Sequence, residues 1–208
     1  MNAPPFRIAI LAFDGVEALD LAGPFEVFTT ATRMARRLDP DTTDGAAGWQ
    51  VDCVARSLAP VQARAGLRLL PSLDFAQCPG ADLLVVPGGV VDEAAACEAT
   101  RAWVAQVAAG ADITASVCTG AFILAASGVI TTHRVTTHWE DIDDLRRQFP
   151  ALQVEANANT RWVDEGRTVT SAGISAGIDM SLHLVERLAG AALARRTARQ
   201  MDYPWKDA

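Results

Sequence analysis

Two short runs of the chain, Arg7–Phe13 and Asp82–Val86, are apolar almost without interruption, and Asp112–Val117 reads as a further strand in which Thr114 and Ser116 separate the apolar residues. A strand with one face in water alternates apolar and polar residues. A continuous apolar run is covered on both faces, which is the condition of strands in a parallel sheet. Asp14-Gly15 ends the first run and Pro87-Gly88-Gly89 the second, and Trp49–Ala55 supplies a further strand. Between the strands the apolar spacing turns helical. Leu21, Phe25, Phe28 and Met34 predict a helix over Leu19–Leu38, with Pro24 tolerable only in its opening turn. Further helices are predicted from about Ala95 to Ala108, from just after Cys118 to near Gly128, and over Glu140–Phe149, with one or two more over Ser175–Met201. Gly66–Pro71 reads as part of a side hairpin, and Gly166 as the turn of another between Trp162-Val163 and Thr168-Val169-Thr170. Asp39–Gly45 is rich in turn formers and is expected to be an exposed loop. This alternation predicts an α/β protein: a three-layer α/β/α sandwich with a mainly parallel sheet, formed as one domain over residues 1–208.

Half of the 208 residues are hydrophobic, which supports an ample core, and the formal net charge is −7. Such a field repels phosphate backbones and anionic lipid headgroups, so neither nucleic acid nor a membrane surface is an expected partner. The most basic stretch, Arg195-Arg196-Thr197-Ala198-Arg199, lies in a helical pattern and reads as a solvated face. The four cysteines, Cys53, Cys78, Cys97 and Cys118, form no C-x-x-C pair and no cluster with metal-ligand spacing. Free thiols and no metal or other cofactor are expected. No secretory leader and no run of eighteen apolar residues is apparent, which reads as a soluble cytoplasmic protein.

Cys118 stands where a predicted strand ends and a helix begins. In doubly wound sheets ligands gather beyond the carboxyl ends of the strands. A strand-nucleophile-helix turn also forces the side chain into the open, and Gly120 offers the small neighbour that such a turn needs. The helix N-terminus is expected to favour thiolate over thiol, and the N–H groups of Thr119 and Gly120 to receive developing negative charge. Gly88-Gly89 could present further N–H donors, or be a plain turn. Packing as a small hydrophobe is the competing role for Cys118. Cys53 and Cys97 read as bystanders, and Cys78 sits in a loop without a motif.

Four ordered segments carry a resemblance that covers nearly the whole chain. They are Phe13-Asp14-Gly15-Val16-Glu17-Ala18-Leu19-Asp20-Leu21-Ala22-Gly23-Pro24, Ser116-Val117-Cys118-Thr119-Gly120-Ala121-Phe122, Thr136-Thr137-His138-Trp139, and the run from Thr170 through Ile174 to Asp179. Together they resemble the ThiJ/PfpI superfamily, whose fold is flavodoxin-like and of the class I glutamine amidotransferase kind. Within it the chain is most similar to isonitrile hydratases and to the amino-terminal domains of AraC-type regulators of the GlxA kind. The resemblance implies Cys118 as nucleophile, Thr119 as the residue following it, and Asp20 as the acid that hydrogen-bonds the cysteine sulfur. Gly88, Gly89, Gly120 and Ile174 are expected around the oxyanion or substrate. Asp20 is otherwise equally consistent with a helix cap. A carboxyl beside a thiolate holds its proton better, through like-charge repulsion and burial, and so suits a general acid.

The peptidase-like branch of the superfamily has His directly after the cysteine, and here that residue is Thr119, which disfavours a Cys-His protease. His133 and His138 are expected to be structural, with Thr-Thr-His-Trp supporting a pocket wall or a dimer. After Gly88-Gly89 the chain continues Val90-Val91-Asp92-Glu93, where the hydratase pattern is richer in Gly and Thr. The regulators carry a helix-turn-helix region after this domain, and none is expected in this chain. The implied function is hydration of an isonitrile to an N-formamide through a Cys118 thioimidate, by a homodimer acting on a small molecule. The alternatives are a non-catalytic ligand-binding or sensor domain, and a glyoxalase-, deglycase- or amidase-like or redox-sensing use of the same cysteine.

Overall fold

The computed structural model describes residues 5–38, 45–157 and 159–205. Its strands are β1 (Arg7–Leu11), β2 (Gln50–Ala55), β3 (Val61–Gln62), β4 (Arg68–Leu69), β5 (Leu73–Asp74), β6 (Leu83–Val86), β7 (Ile113–Val117), β8 (Arg134–Val135), β9 (Gln153–Val154), β10 (Trp162–Asp164) and β11 (Thr168–Ser171). Its α-helices are α1 (Ala18–Leu38), α2 (Asp92–Ala96), α3 (Glu98–Gly110), α4 (Gly120–Ala126), α5 (Ile142–Gln148), α6 (Ala176–Ala189) and α7 (Ala191–Gln200). Among the described residues, seven strands form one sheet in the order β10-β11-β7-β6-β1-β2-β5. Every neighbouring pair is parallel except β10 with β11. The apolar runs are central strands: all of β6, and β1 from Ile8 on, are buried, and so is all of β7 with its Thr114 and Ser116.

The crossover from β1 to β2 runs toward one edge of the sheet and that from β6 to β7 toward the other. Right-handed crossovers then put their helices on opposite faces. Accordingly α1 packs with α6 and α7, while α2, α3 and α4 pack with one another. The result is the three-layer α/β/α sandwich expected of the chain. The direction of winding reverses between β1 and β6, and a crevice opens there beyond their carboxyl ends.

Several local expectations change. Pro24 lies inside α1, past the opening turn, and has no N–H to donate to the Asp20 carbonyl one turn back. The helix expected over Ala95–Ala108 is two helices that break at Cys97, whose ψ of 114° is extended. The segment from Glu140 starts as a 3-10 turn, Trp139–Asp141, before α5. The C-terminal helical stretch divides at Gly190, where φ is +90°. The side hairpin is β3 with β4, and β10 and β11 form the hairpin around Gly166. The two-residue parallel pair β8 and β9 has too little periodicity to be foreseen. Of the loop expected over Asp39–Gly45, residues 39–44 lie outside the described residues, and Gly45 opens a 3-10 turn. Arg195, Arg196 and Arg199 form an exposed face of α7, as expected. No helix among the described residues is long and apolar enough to cross a membrane.

Candidate active site

Cys118 follows β7 directly, is 7% exposed, and has φ +55°. A left-handed conformation at a non-glycine residue costs on the order of 1 kcal/mol or more and persists only where its surroundings over-determine it. Here they do. The Cys118 N–H is shared between the carbonyls of Ser171 (3.2 Å) and Ala172 (3.3 Å) at the end of β11. Its carbonyl accepts a hydrogen bond from the buried Thr137 hydroxyl at 2.8 Å. Gly120 is required on the far side of the turn, because a Cβ there would stand 2.0 Å from the Val86 carbonyl oxygen.

Asp20 reaches this elbow from the first turn of α1 and is fully buried. It is the third residue of that helix, so it is not the cap that its sequence context also allowed. The loop between β1 and α1 is joined to the segment after β6 by Glu17 N–H to the Gly88 carbonyl (2.8 Å) and Val90 N–H to the Gly15 carbonyl (2.9 Å). Within that seam the Gly88 N–H donates to Asp20 Oδ2 at 3.2 Å. Asp20 Oδ1 is sealed from solvent and has no hydrogen bond of ordinary geometry. The carboxyl is nevertheless near enough to the Cys118 thiol for each to shift the other's titration.

Burial pushes the Asp20 carboxyl up to about 7, partly offset by the Cys118 thiol and the Gly88 N–H, with a small further rise from Glu17. Burial and then the Asp20 charge push the Cys118 thiol up to about 12, against the N–H groups of Thr119 and Ile174 that face the sulfur. This corrects the expectation that the helix N-terminus makes a free thiolate. Desolvation in a nearly dry site outweighs a half-charge of helix dipole. Between those two values the pair holds one proton, and the two groups titrate as a unit.

The thiol opens into a cleft of about 360 Å³. Gly89, Val90, Thr119, Phe122, His138 and Ile174 line it beside Cys118. The His138 ring lies against Gly173, where a Cβ would stand 2.1 Å from His138 Cδ2. Ile174 has φ +45°, a second strained residue, and it turns its N–H toward the sulfur. Its loop is tied down by Arg161, which donates to Ser175 Oγ at 3.2 Å and from Nε to the buried Asp179 carboxylate at 2.8 Å.

The DJ-1/PfpI family model matches residues 6–187. The chain belongs to the DJ-1/PfpI family. It is 35% identical over 198 residues to an isonitrile hydratase from Pseudomonas putida, covering 95% of this chain and 78% of that protein. It is 27% identical over 207 residues to the HTH-type transcriptional regulator GbdR of Pseudomonas aeruginosa, covering 97% of this chain and 52% of the regulator. The crystal structure of a ThiJ/PfpI family protein from Pseudomonas syringae matches with a TM-score of 0.82 at 29% identity, over 98% of this chain and 77% of that one.

In this DJ-1/PfpI family protein the folded chain brings Cys118, Asp20, Thr119, Gly88, Gly89, Gly120 and Ile174 together at the ends of β1, β6, β7 and β11. Their parts differ from expectation in two respects. The Gly88 and Gly89 N–H groups are already engaged, by Asp20 Oδ2 and by the Thr119 hydroxyl (2.9 Å), so they hold the site rather than point at a ligand. The Thr119 hydroxyl in turn donates to the Gly89 carbonyl at 2.9 Å, so Thr119 offers the sulfur only its backbone N–H. Gly88 is needed where it is: a Cβ would lie 2.6 Å from Thr119 N and 2.9 Å from Asp20 Oδ2.

His138 lines the cleft, with Nδ1 accepting from Glu140 N–H at 3.4 Å, while His133 lines a separate depression with Arg167 and with Thr114 and Thr168 near the starts of β7 and β11. Sequence reasoning passed over Thr137 as the clamp on the elbow and Glu17 as a charge beside Asp20. Both lie in quoted motifs, but only the fold shows what they touch. Of the other cysteines, Cys53 and Cys78 are buried and Cys97 is partly exposed, and all four are free thiols.

Proposed function

We propose that this protein hydrates an isonitrile to the corresponding N-formamide, with Cys118 as nucleophile and Asp20 as proton carrier. The observation that carries the reading is a buried thiol at a strained elbow beside a buried carboxyl, each close enough to shift the other's hold on its proton or to exchange it. An isonitrile asks for that pair, because its terminal carbon must gain both a sulfur and a proton. As Cys118 passes its proton to Asp20, the sulfur attacks the terminal carbon. Asp20 returns the proton to that same carbon, giving the thioimidate R–N=CH–S–Cys118. Water adds across the C=N bond, and the tetrahedral adduct collapses to R–NH–CHO and the free thiol. Atoms balance with one water consumed. The N–H groups of Thr119 and Ile174 face the sulfur and favour its anionic form as it attacks and as it leaves. The 35% identity to the Pseudomonas putida isonitrile hydratase supports the same reading.

The test is direct: the purified protein is incubated with an aromatic isonitrile and the N-formamide is followed. Turnover that falls by about a thousandfold or more in Cys118→Ala supports the mechanism. Turnover that survives the substitution overturns it.

A second reading is a ligand-sensing domain without catalysis. What favours it is the similarity to the regulator GbdR across 97% of this chain. On that reading a metabolite binds with the same affinity in Cys118→Ser as in the wild type, and no isonitrile is turned over.

A further inference from the structure

The wall of the Cys118 cleft carries five carboxylates: Glu17, Asp92, Glu140, Asp141 and Asp144 from one side to the other. Three groups can oppose them, and one of these, Arg147, reaches Asp144 Oδ1 at 2.5 Å from outside the lining. Arg64 is largely exposed and stands 4.0 Å from Glu17, and the His138 ring has Nδ1 3.7 Å from Glu140 and 3.4 Å from Asp141. Even with Arg64, Arg147 and His138 all counted as cations, the five carboxylates exceed them. Behind Cys118 the fully buried Asp20 carboxyl adds to the same field.

We infer that this cleft selects substrates by charge, favouring a small molecule that carries a protonated nitrogen over a neutral one, and turning away carboxylates and phosphates. The inference rests on the proposed use of Cys118 as the reacting group, and it names the class of molecule that reaches it. Low-dielectric walls focus the field of clustered like charges into a cleft. Asp141 shows the crowding directly: burial raises its pKa, His138 opposes this, and Asp144 and Glu140 raise it further. A cation seated beside Asp141 relieves that repulsion, whereas an anion adds to it.

The test reads charge selection at the sulfur, separately from isonitrile turnover. Three methanethiosulfonates of similar size, bearing a trimethylammonium, an ethyl or a sulfonate group, are reacted with the whole protein at low salt. Labelling of each cysteine peptide is followed by mass spectrometry. Each reagent forms a disulfide with the thiolate and releases methanesulfinate, so only the tail charge differs.

At Cys118 the cationic reagent is expected to react about tenfold faster than the anionic one, with the neutral one between. Cys97 is the internal reference, because its sulfur lies 3.9 Å from the Arg56 guanidinium and its cation-to-anion ratio should be lower. Raising the salt, or replacing Asp141→Asn together with Asp144→Asn, should bring the Cys118 ratio toward one. Equal rates at low salt, a faster anionic reagent, or a ratio unmoved by both salt and the double substitution would overturn the inference. If the ratio holds while isonitriles are not turned over, charge selection stands and the proposed reaction falls. The converse result keeps the reaction and removes the selection.

Discussion

Replacing Asp20 with Asn should stabilise this protein while disabling it, and the stabilisation should depend on pH in a stated way. The carboxyl's pKa is raised from 3.8 to about 7 on folding, with burial the largest cause. A raised carboxylate pKa means that the folded state binds the proton more tightly than the unfolded chain does. Below pH 3.8 both states are protonated and the charge costs nothing. As pH rises from there to 7, the unfolded chain ionises freely and the folded state resists, so stability falls. The full shift of about three units corresponds to about 4 kcal/mol, accumulated at roughly 1.4 kcal/mol per pH unit and complete above pH about 7. Asn keeps an acceptor for the Gly88 N–H, presently 3.2 Å from Asp20 Oδ2, and removes the charge. Urea unfolding of wild type and Asp20→Asn at several pH values from 4 to 8 measures the difference. The two should lie within about 1 kcal/mol at pH 4, diverge steadily with the variant more stable, and run parallel above pH 7. A gap that does not vary with pH, or one that favours the wild type at pH 8, would refute the account of Asp20 as a desolvated charge. Formamide production by Asp20→Asn should meanwhile fall by about a hundredfold or more, since Asn carries no proton to the isonitrile carbon.

The remaining predictions follow from the same site. If the active form of the pair holds one proton, kcat/KM for an isonitrile should rise through pH about 7, where Asp20 loses the second proton, and then level off; a profile flat from pH 5 to 9 contradicts this. Gly88→Ala places a Cβ 2.6 Å from the Thr119 backbone nitrogen, so it should lower unfolding stability by about 1–3 kcal/mol and reduce kcat; wild-type kinetics in this variant would show that the Asp20–Gly88–Thr119 seam does not position the chemistry. Thr137→Val leaves the buried Cys118 carbonyl without its 2.8 Å donor and should cost about 1–3 kcal/mol by urea unfolding, with slower Cys118 alkylation; unchanged values would mean that the elbow is held by other bonds. We propose a homodimer, for which light scattering should give twice the chain mass, and a monomeric mass at micromolar concentration would contradict it.

Much of this architecture was legible from residues 7 to 201 read in order, because strand and helix periodicities are local properties of the chain. The unbroken apolar runs of β1 and β6 specify burial on both faces and hence a parallel sheet with helices on each side, whereas β7 is buried throughout although Thr114 and Ser116 interrupt its apolar residues. Cys118 at the end of the strand Asp112–Val117 already had the address of a ligand site. Errors at this level were also local. The break at Cys97 and the interior Pro24 depend on packing that residue spacing does not record.

Other properties of the site were decided only by the folded chain. Asp20 meets Cys118 because the crossovers place the ends of β1, β6 and β7 side by side, and no spacing in the sequence encodes that meeting. The protonation of the pair follows from burial, which is a tertiary quantity: the helix N-terminus alone argued for a thiolate, and desolvation made it a thiol that shares its proton with a carboxylate. The N–H groups of Gly88 and Gly89 looked available in the sequence and were taken up by Asp20 and Thr119 when the strands came together. The amino-acid sequence by itself determined which residues could do chemistry here. The tertiary structure decided their charge states and partners, because electrostatic and hydrogen-bond energies depend on distance in space and on exclusion of water.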